Sequence, residues 1–275
     1  MNLRLIAQIS DLHFGRHDPA VVEALLASLN GSPLDLVIVS GDFTQRARTA
    51  EFEAARAFLD RLNARTLVVP GNHDVSLHNP LRRLFRPLRR YRRYISDERE
   101  PFFADEEIAV LGLSTVRRLT GKNGRVGWRQ MDSIRRMFGG VATDRLKILA
   151  THHPLAMPPA ADPQDLVGRA EAALNVAAES GVHLLLSGHY HRSFSGEAPA
   201  HVARKRSLLV VHAGTAVSTR TRGGEVNSYN QIHFEPSPCR LAVRVMAWAD
   251  KLGFVEARRE GYGLQGGRWH RADEG

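Results

Sequence analysis

Five times along this chain an apolar, strand-like run ends in a short polar motif. Leu3–Ser10 leads into Asp11-Leu12-His13, and Leu34–Ser40 into Gly41-Asp42. Thr66–Val69 is followed by Gly71-Asn72-His73-Asp74, Lys147–Ala150 by Thr151-His152-His153-Pro154, and Val182–Ser187 by Gly188-His189-Tyr190-His191. The carboxyl ends of strands are where open α/β sheets gather their ligands. Every motif carries Asp, Asn or His, the side chains that hold hard and borderline divalent ions. Seven to nine such residues at one sheet edge exceed what a single ion uses, so the pattern points to two ions sharing a carboxylate.

Helical periods alternate with these strands. Asp18-Pro19 reads as an N-cap followed by proline at the first helical position, opening a helix to about Asn30. Thr49–Asn63, Trp128–Met137 and Ala170–Ser180 follow the same apolar spacing. Ile108–Leu113 adds a strand, and Ser207–His212, Ser228–Phe234 and Leu241–Trp248 make the end of the chain β-rich. The chain is therefore α/β, with two sheets packed together and helices outside. One domain is expected over residues 1–257. The stretch 258–275, rich in Gly, Arg and polar residues, reads as a tail that adds little to the core.

With 275 residues, 43% of them hydrophobic, the chain can bury one sizeable core. No apolar run approaches the roughly 20 residues that cross a bilayer. The first ten residues lack a cleavage site and read as a core strand rather than a leader. Cys239 is the single cysteine, which excludes an internal disulfide and fits a reducing compartment, so cytoplasm is the expected location. The formal charge of +9 favours phosphate-bearing partners without choosing among them. Residues 79–95 concentrate that charge. Leu81, Leu84, Phe85, Leu88, Tyr91 and Ile95 share one helical face, arginines fill the other, and Pro87 should split the helix. Beginning just after the Asn72 turn, this segment is expected to cap the substrate or to meet an anionic surface, including the inner face of a membrane.

Asp11 and His13, like His189 and His191, are two residues apart. On an extended backbone each pair would project to one side as a clip. Tyr190 would then point the other way, into the core. Gly41 lets the backbone turn sharply before Asp42. No nucleophile signature such as G-x-S-x-G is present. His153 reads as a packing neighbour. His17 lies a few residues past the first motif, at the rim of the cleft, and Arg220 and Arg222 follow another strand end; these three are candidate substrate contacts.

Taken in order, the D-x-H, G-D, G-N-H-D, H-x-P and G-H-x-H series resembles the calcineurin-like metallophosphoesterase superfamily over roughly residues 1–235. Within it, the His-His-Pro form is most similar to the bacterial class III cyclic nucleotide phosphodiesterase and glycerophosphodiesterase group. The resemblance implies a four-layer αββα sandwich of two mixed β-sheets flanked by helices. It also implies two divalent ions (Mn, Fe, Zn or Co), one held by Asp11, His13, Asp42 and His191, the other by Asp42, Asn72, His152 and His189. His152 is preferred to His153 because the family's ligand lies two residues before the proline. His73 matches the family's non-ligand histidine at the phosphoryl oxygen or leaving group, with Asp74 orienting it. The implied activity is hydrolysis of a small phosphodiester by a metal-bridging hydroxide. Two rivals remain: a pyrophosphatase acting on a nucleotide-linked lipid precursor at the membrane surface, and a metal-dependent nuclease or nucleic-acid-binding protein. No nucleic-acid module is recognisable, so nucleic acid is not the expected partner.

Overall fold

The computed structural model describes residues 3–76, 85–117, 123–158, 165–198, 207–221, 223–237 and 239–272. Thirteen strands among them form two mixed sheets. The first sheet takes β1 (Arg4–Ile9), β2 (Leu36–Val39) and β3 (Thr66–Val68) in parallel. It continues on the other side of β1 through antiparallel β10 (Ser228–Pro236), β11 (Cys239–Ala249), β12 (Gly253–Gln265) and β13 (Arg268–Ala272). In the second, β5 (Ile108–Leu113), β6 (Leu146–Thr151), β7 (Leu184–His191) and β9 (Leu209–Gly214) run parallel. Short antiparallel edges, β4 (Phe102–Ala104) and β8 (Phe194–Glu197), close it.

Three apolar clusters fix the layering. One lies between the sheets and interleaves Ile6, Ile38 and Val243 with Val110, Ile148 and Leu186. A second packs α1 (Pro19–Asn30) and α2 (Thr49–Leu59) on the outer face of the first sheet, through Leu25, Leu29, Phe52 and Phe58. The third packs α4 (Trp128–Gly139) and α5 (Ala170–Glu179) on the second, through Ile134, Phe138, Ala173 and Leu174. The parallel strands are predominantly apolar along their length because both their faces are covered. The Asp18 cap is made as the sequence implies, its Oδ1 accepting the Ala20 N–H at 2.9 Å.

Two expectations change. Residues 258–272 are not a loose tail: they form most of β12 and all of β13, and Trp269 is fully buried in the inter-sheet core. The stretch is polar because much of the ribbon faces solvent, while Tyr262 and Trp269 point inward. Of the Arg-rich segment, Leu81, Leu84, Arg82 and Arg83 lie outside the described residues. A short helix, α3 (Arg89–Tyr94), starts only after Pro87. The break takes Phe85 out of register with buried Tyr91, and Phe85 is 70% exposed.

Candidate metal centre

The five motifs meet where the parallel strands of both sheets end. They do so through a backbone device that spacing does not reveal. Asp11 (φ 55°), His13 (φ 47°), Asp42 (φ 55°), His189 (φ 65°) and His191 (φ 62°) all adopt left-handed conformations. The extended clips are therefore replaced by kinks, and β7 loses its register between Ser187 and His191. Each kink costs on the order of 1 kcal/mol or more for a residue with a Cβ. The close approach also demands glycine: a Cβ at Gly188 would fall on Ser10 Oγ and Asp11 Oδ2.

Asp11, His13, Asp42, His152 and His191 are all buried. Hydrogen bonds aim one oxygen of each carboxylate and free the other. Asp11 Oδ2 accepts the Ser10 hydroxyl (2.7 Å) and the His189 N–H (3.0 Å). Its Oδ1 accepts nothing and lies 3.2 Å from His191 Nε2 and 3.6 Å from His13 Nε2. Asp42 Oδ1 accepts the His73 N–H at 2.8 Å. Asp42 Oδ2 has no hydrogen bond and sits between two imidazoles, 3.4 Å from His152 Nε2 and 3.8 Å from His13 Nε2.

His152 Nδ1 donates to the Ser40 carbonyl at 2.7 Å, so in the neutral ring Nε2 carries the lone pair. That lone pair faces Asn72 Oδ1 at 3.1 Å. Acceptors gathered this closely in a buried site require positive charge. Protons meet part of the need. Burial would lower the His152 ring, but the Asp42 charge outweighs it and lifts it to about 9. Burial would raise Asp11, and His191 with the other imidazoles holds it well below the usual carboxylate range. Burial and then the neighbouring His152 charge push His189 down to about 4, leaving it a neutral donor. The orphaned Asp11 Oδ1, Asp42 Oδ2 and His13 Nε2 fit divalent cations, and the donor set is oxygen and imidazole, as such ions prefer.

The structure brings all seven sequence-derived ligand candidates to this cluster. It brings His73 and His153 too: His73 groups with His13 and Asp42, and His153 with His152 and His189. His153 Nδ1 lies 2.6 Å from Thr115 Oγ1. Two expectations are corrected. Asp74 does not orient the His73 ring. Its Oδ1 accepts the Thr44 N–H and hydroxyl, and its Oδ2 the Gly71 and Phe43 N–H groups, stitching the Asp42 loop to the Asn72 turn. Burial and the Asp42 charge raise it to about 7. His73 is oriented instead by Gln45, whose carbonyl accepts from Nδ1 at 2.8 Å. Tyr190 does not enter the core, because the left-handed residues on either side break the alternation. It lines a cavity of about 130 Å³ with Asn72, His73, Met157, Asp165 and His189. His17 and Arg220 are absent from the described lining of that cavity. His17 forms an isolated bridge with Ser218, and Arg220 Nη1 donates to Gln45 Oε1 at 3.3 Å, one residue removed from His73. Arg222 lies outside the described residues. Gln45, Tyr190 and Asp165 were not identified from sequence, since nothing in spacing distinguishes them from ordinary loop residues.

The two-sheet sandwich is that of solved phosphatases. A purple acid phosphatase from yellow lupin superposes with a TM-score of 0.70 at 12% identity, over 93% of this chain and 53% of that one. A dimetal phosphatase from Danio rerio gives 0.60 at 13% identity, over 94% and 98%. At such identities the likeness concerns fold alone, and GAP50, the anchor in the inner membrane complex of Plasmodium, shares it at a TM-score of 0.63, 11% identity and 96% and 90% coverage. The profile of the calcineurin-like phosphoesterases matches residues 4–193, and the chain belongs to that family. It is a metallophosphoesterase with a buried His/Asp cluster. Its sequence is 26% identical over 209 residues to a "probable cyclic nucleotide phosphodiesterase" of Synechococcus sp., covering 69% of this chain and 74% of the relative. It is 37% identical over 81 residues to the glycerophosphodiester phosphodiesterase GpdQ of Enterobacter lignolyticus, covering 26% and 29%. That second match spans under a third of the relative's length.

Proposed function

We propose that the chain is a binuclear metal-dependent phosphodiesterase acting on a small diester of cyclic-nucleotide or glycerophosphodiester type. Asp11, His13, Asp42 and His191 would hold one divalent ion; Asp42, Asn72, His152 and His189 would hold the other. The observation that carries this reading is Asp42 Oδ2, buried and without a hydrogen bond between His13 and His152. Bound ions would supply Lewis acidity toward the phosphoryl oxygens and lower the pKa of a coordinated water.

The remaining work falls to the chain. Gln45 fixes the His73 ring through Nδ1, so Nε2 is the atom that can hold a proton and pass it to the departing oxygen. The small cavity over the cluster supports a compact diester, with Tyr190 and Asp165 beside its substituents. Both relatives named above are phosphodiesterases by description, which supports the same class. The half-buried Cys239, single in the sequence, supports a reducing compartment such as the cytoplasm. No helix among the described residues is long and apolar enough to cross a membrane.

A panel of bis(p-nitrophenyl) phosphate, cyclic AMP, glycerophosphocholine and a nucleotide-diphosphate lipid tests the reading. Turnover of the diesters supports it. Turnover of the diphosphate lipid alone would move the chain to the pyrophosphatase alternative, in which the Arg-rich segment acts as a cap at the membrane surface. Cleavage confined to DNA or RNA would make it a nuclease.

A further inference from the structure

The described part of the Arg-rich segment is anchored by its aromatic face. Tyr91 is buried and meets Phe43 edge-on at 5.8 Å, and Tyr94 stacks on Phe52 of α2 at 6.2 Å. Arg90 Nη1 donates to the Ala47 carbonyl at 2.6 Å. So held, α3 walls a cavity of about 370 Å³ whose lining includes Arg86, Arg89, Arg90, Arg93, Thr49 and Ser76. This volume falls in the roughly 300–1,000 Å³ range of small-molecule sites.

Among the described residues, the lining of this cavity offers its arginines no ion-paired acid. None of the four arginines forms an ion pair with a described residue, whereas Arg56, Arg61 and Arg135 elsewhere pair with Asp60, Glu23 and Asp132. Asp74 is the acid in its described lining, and both Asp74 oxygens are already bound to backbone N–H groups. Arg86 and Arg89 also line the larger hollow on the other side of α3, whose lining includes Glu98 and Glu100, but neither arginine forms an ion pair with those acids; Arg90 and Arg93 line the smaller cavity alone. Arginines that line one cavity without an ion-paired carboxylate repel one another, and an anion entering the cavity relieves that repulsion. Guanidinium forks match phosphate oxygens in pairs, and several of them suit a doubly charged group better than a single carboxylate.

We propose that this cavity is a second anion site, distinct from the metal cluster, that recognises a phosphomonoester or diphosphate group. Such a group can come from a soluble metabolite or from a lipid headgroup. The site does not depend on the phosphodiesterase reading. Its wall at Asp74 is the back of the turns that carry Asp42 and Asn72, so occupancy lies beside the metal-bearing loops rather than on them.

The test uses the full, metal-loaded protein. Calorimetric titration with glycerol 2-phosphate and co-sedimentation with phosphatidic acid/phosphatidylcholine vesicles are compared among wild type, Arg89→Gln/Arg93→Gln and Arg92→Gln. Any phosphate bound by the metals is common to all three and cancels. Arg92 lies on α3 but is absent from the described lining of this cavity, so it reports diffuse surface charge. Loss of at least about ten-fold in affinity for either ligand in the double variant, with Arg92→Gln within about two-fold of wild type, supports the site; the ligand affected identifies the source. No component of binding lost in the double variant relative to wild type, an equal loss in Arg92→Gln, or absence of binding for both ligands overturns it. Arg86→Gln, at an exposed position of the same lining, repeats the comparison should the double variant misfold.

Discussion

Five of the eight non-glycine residues with positive φ among the described residues are proposed metal ligands. Backbone strain is thus concentrated where side chains must converge. The identities of these residues were legible in sequence, because Asp, Asn and His after apolar runs have few structural reasons to be there. Their directions were not: the alternation rule that sent Tyr190 inward fails when the residues on either side of it leave the extended region. Two substitutions probe this scale. Asparagine tolerates the left-handed region as aspartate does, so Asp42→Asn should keep the fold while removing the shared charge. Metal content measured by plasma mass spectrometry should fall by at least one ion per chain. Turnover of bis(p-nitrophenyl) phosphate should drop by more than the ~10–100-fold typical of losing a partner outside the ligand set. His73→Ala should lower turnover by about 10²–10⁴-fold with the ions retained. Equal loss of metal would make His73 a ligand, which its grouping with His13 and Asp42 allows.

Among the elements, the long parallel strands and the four longer helices were readable from apolar runs and periodicity. The edge strands were not, because half-exposed ribbons carry little hydrophobic signal. Trp269 shows how one residue overrides composition: its ring is fully buried and its Nε1–H donates to the His183 carbonyl at 3.1 Å. Trp269→Ala is expected to cost about 3–5 kcal/mol in urea unfolding; a cost under ~1 kcal/mol would restore the view of a dispensable tail. The elements are also joined by buried polar groups. Asn230 of β10 donates to Gln8 Oε1 on β1 and to the His212 carbonyl on β9, and His212 Nδ1 meets Ser187 Oγ of β7 at 2.7 Å. Burial pushes His212 down to about 4 from an ordinary 6.5. The unfolded chain therefore takes up this proton first. The stabilisation is complete above about pH 6.5 and is lost as pH falls toward 4, by roughly 3 kcal/mol at most. His212→Asn, which retains a polar atom near Nδ1, should flatten the pH dependence of stability across that window; an unchanged slope would refute this assignment.

At the scale of the whole molecule, two sheets are pressed together by one apolar layer, and their strand ends hold buried carboxylates and imidazoles against each other. Ions that bind only the folded chain stabilise it by mass action, about 4 kcal/mol per site at a free concentration a thousand-fold above Kd. Adding manganese to chelator-treated protein should therefore raise the thermal midpoint, and Asp42→Asn should lose most of that gain. The family, the sandwich and the convergence of motifs could be anticipated from order along the chain. The Arg-lined cavity could not, since it depends on Pro87 breaking a helix and on Tyr91 and Tyr94 anchoring α3 against Phe43 and Phe52. Anomalous diffraction from crystals grown with manganese decides whether the centre is binuclear. Two ions roughly 3.5–4 Å apart are expected, with Asp42 contributing to the binding of both. One ion, or two ions that do not share Asp42, would contradict the shared-carboxylate centre.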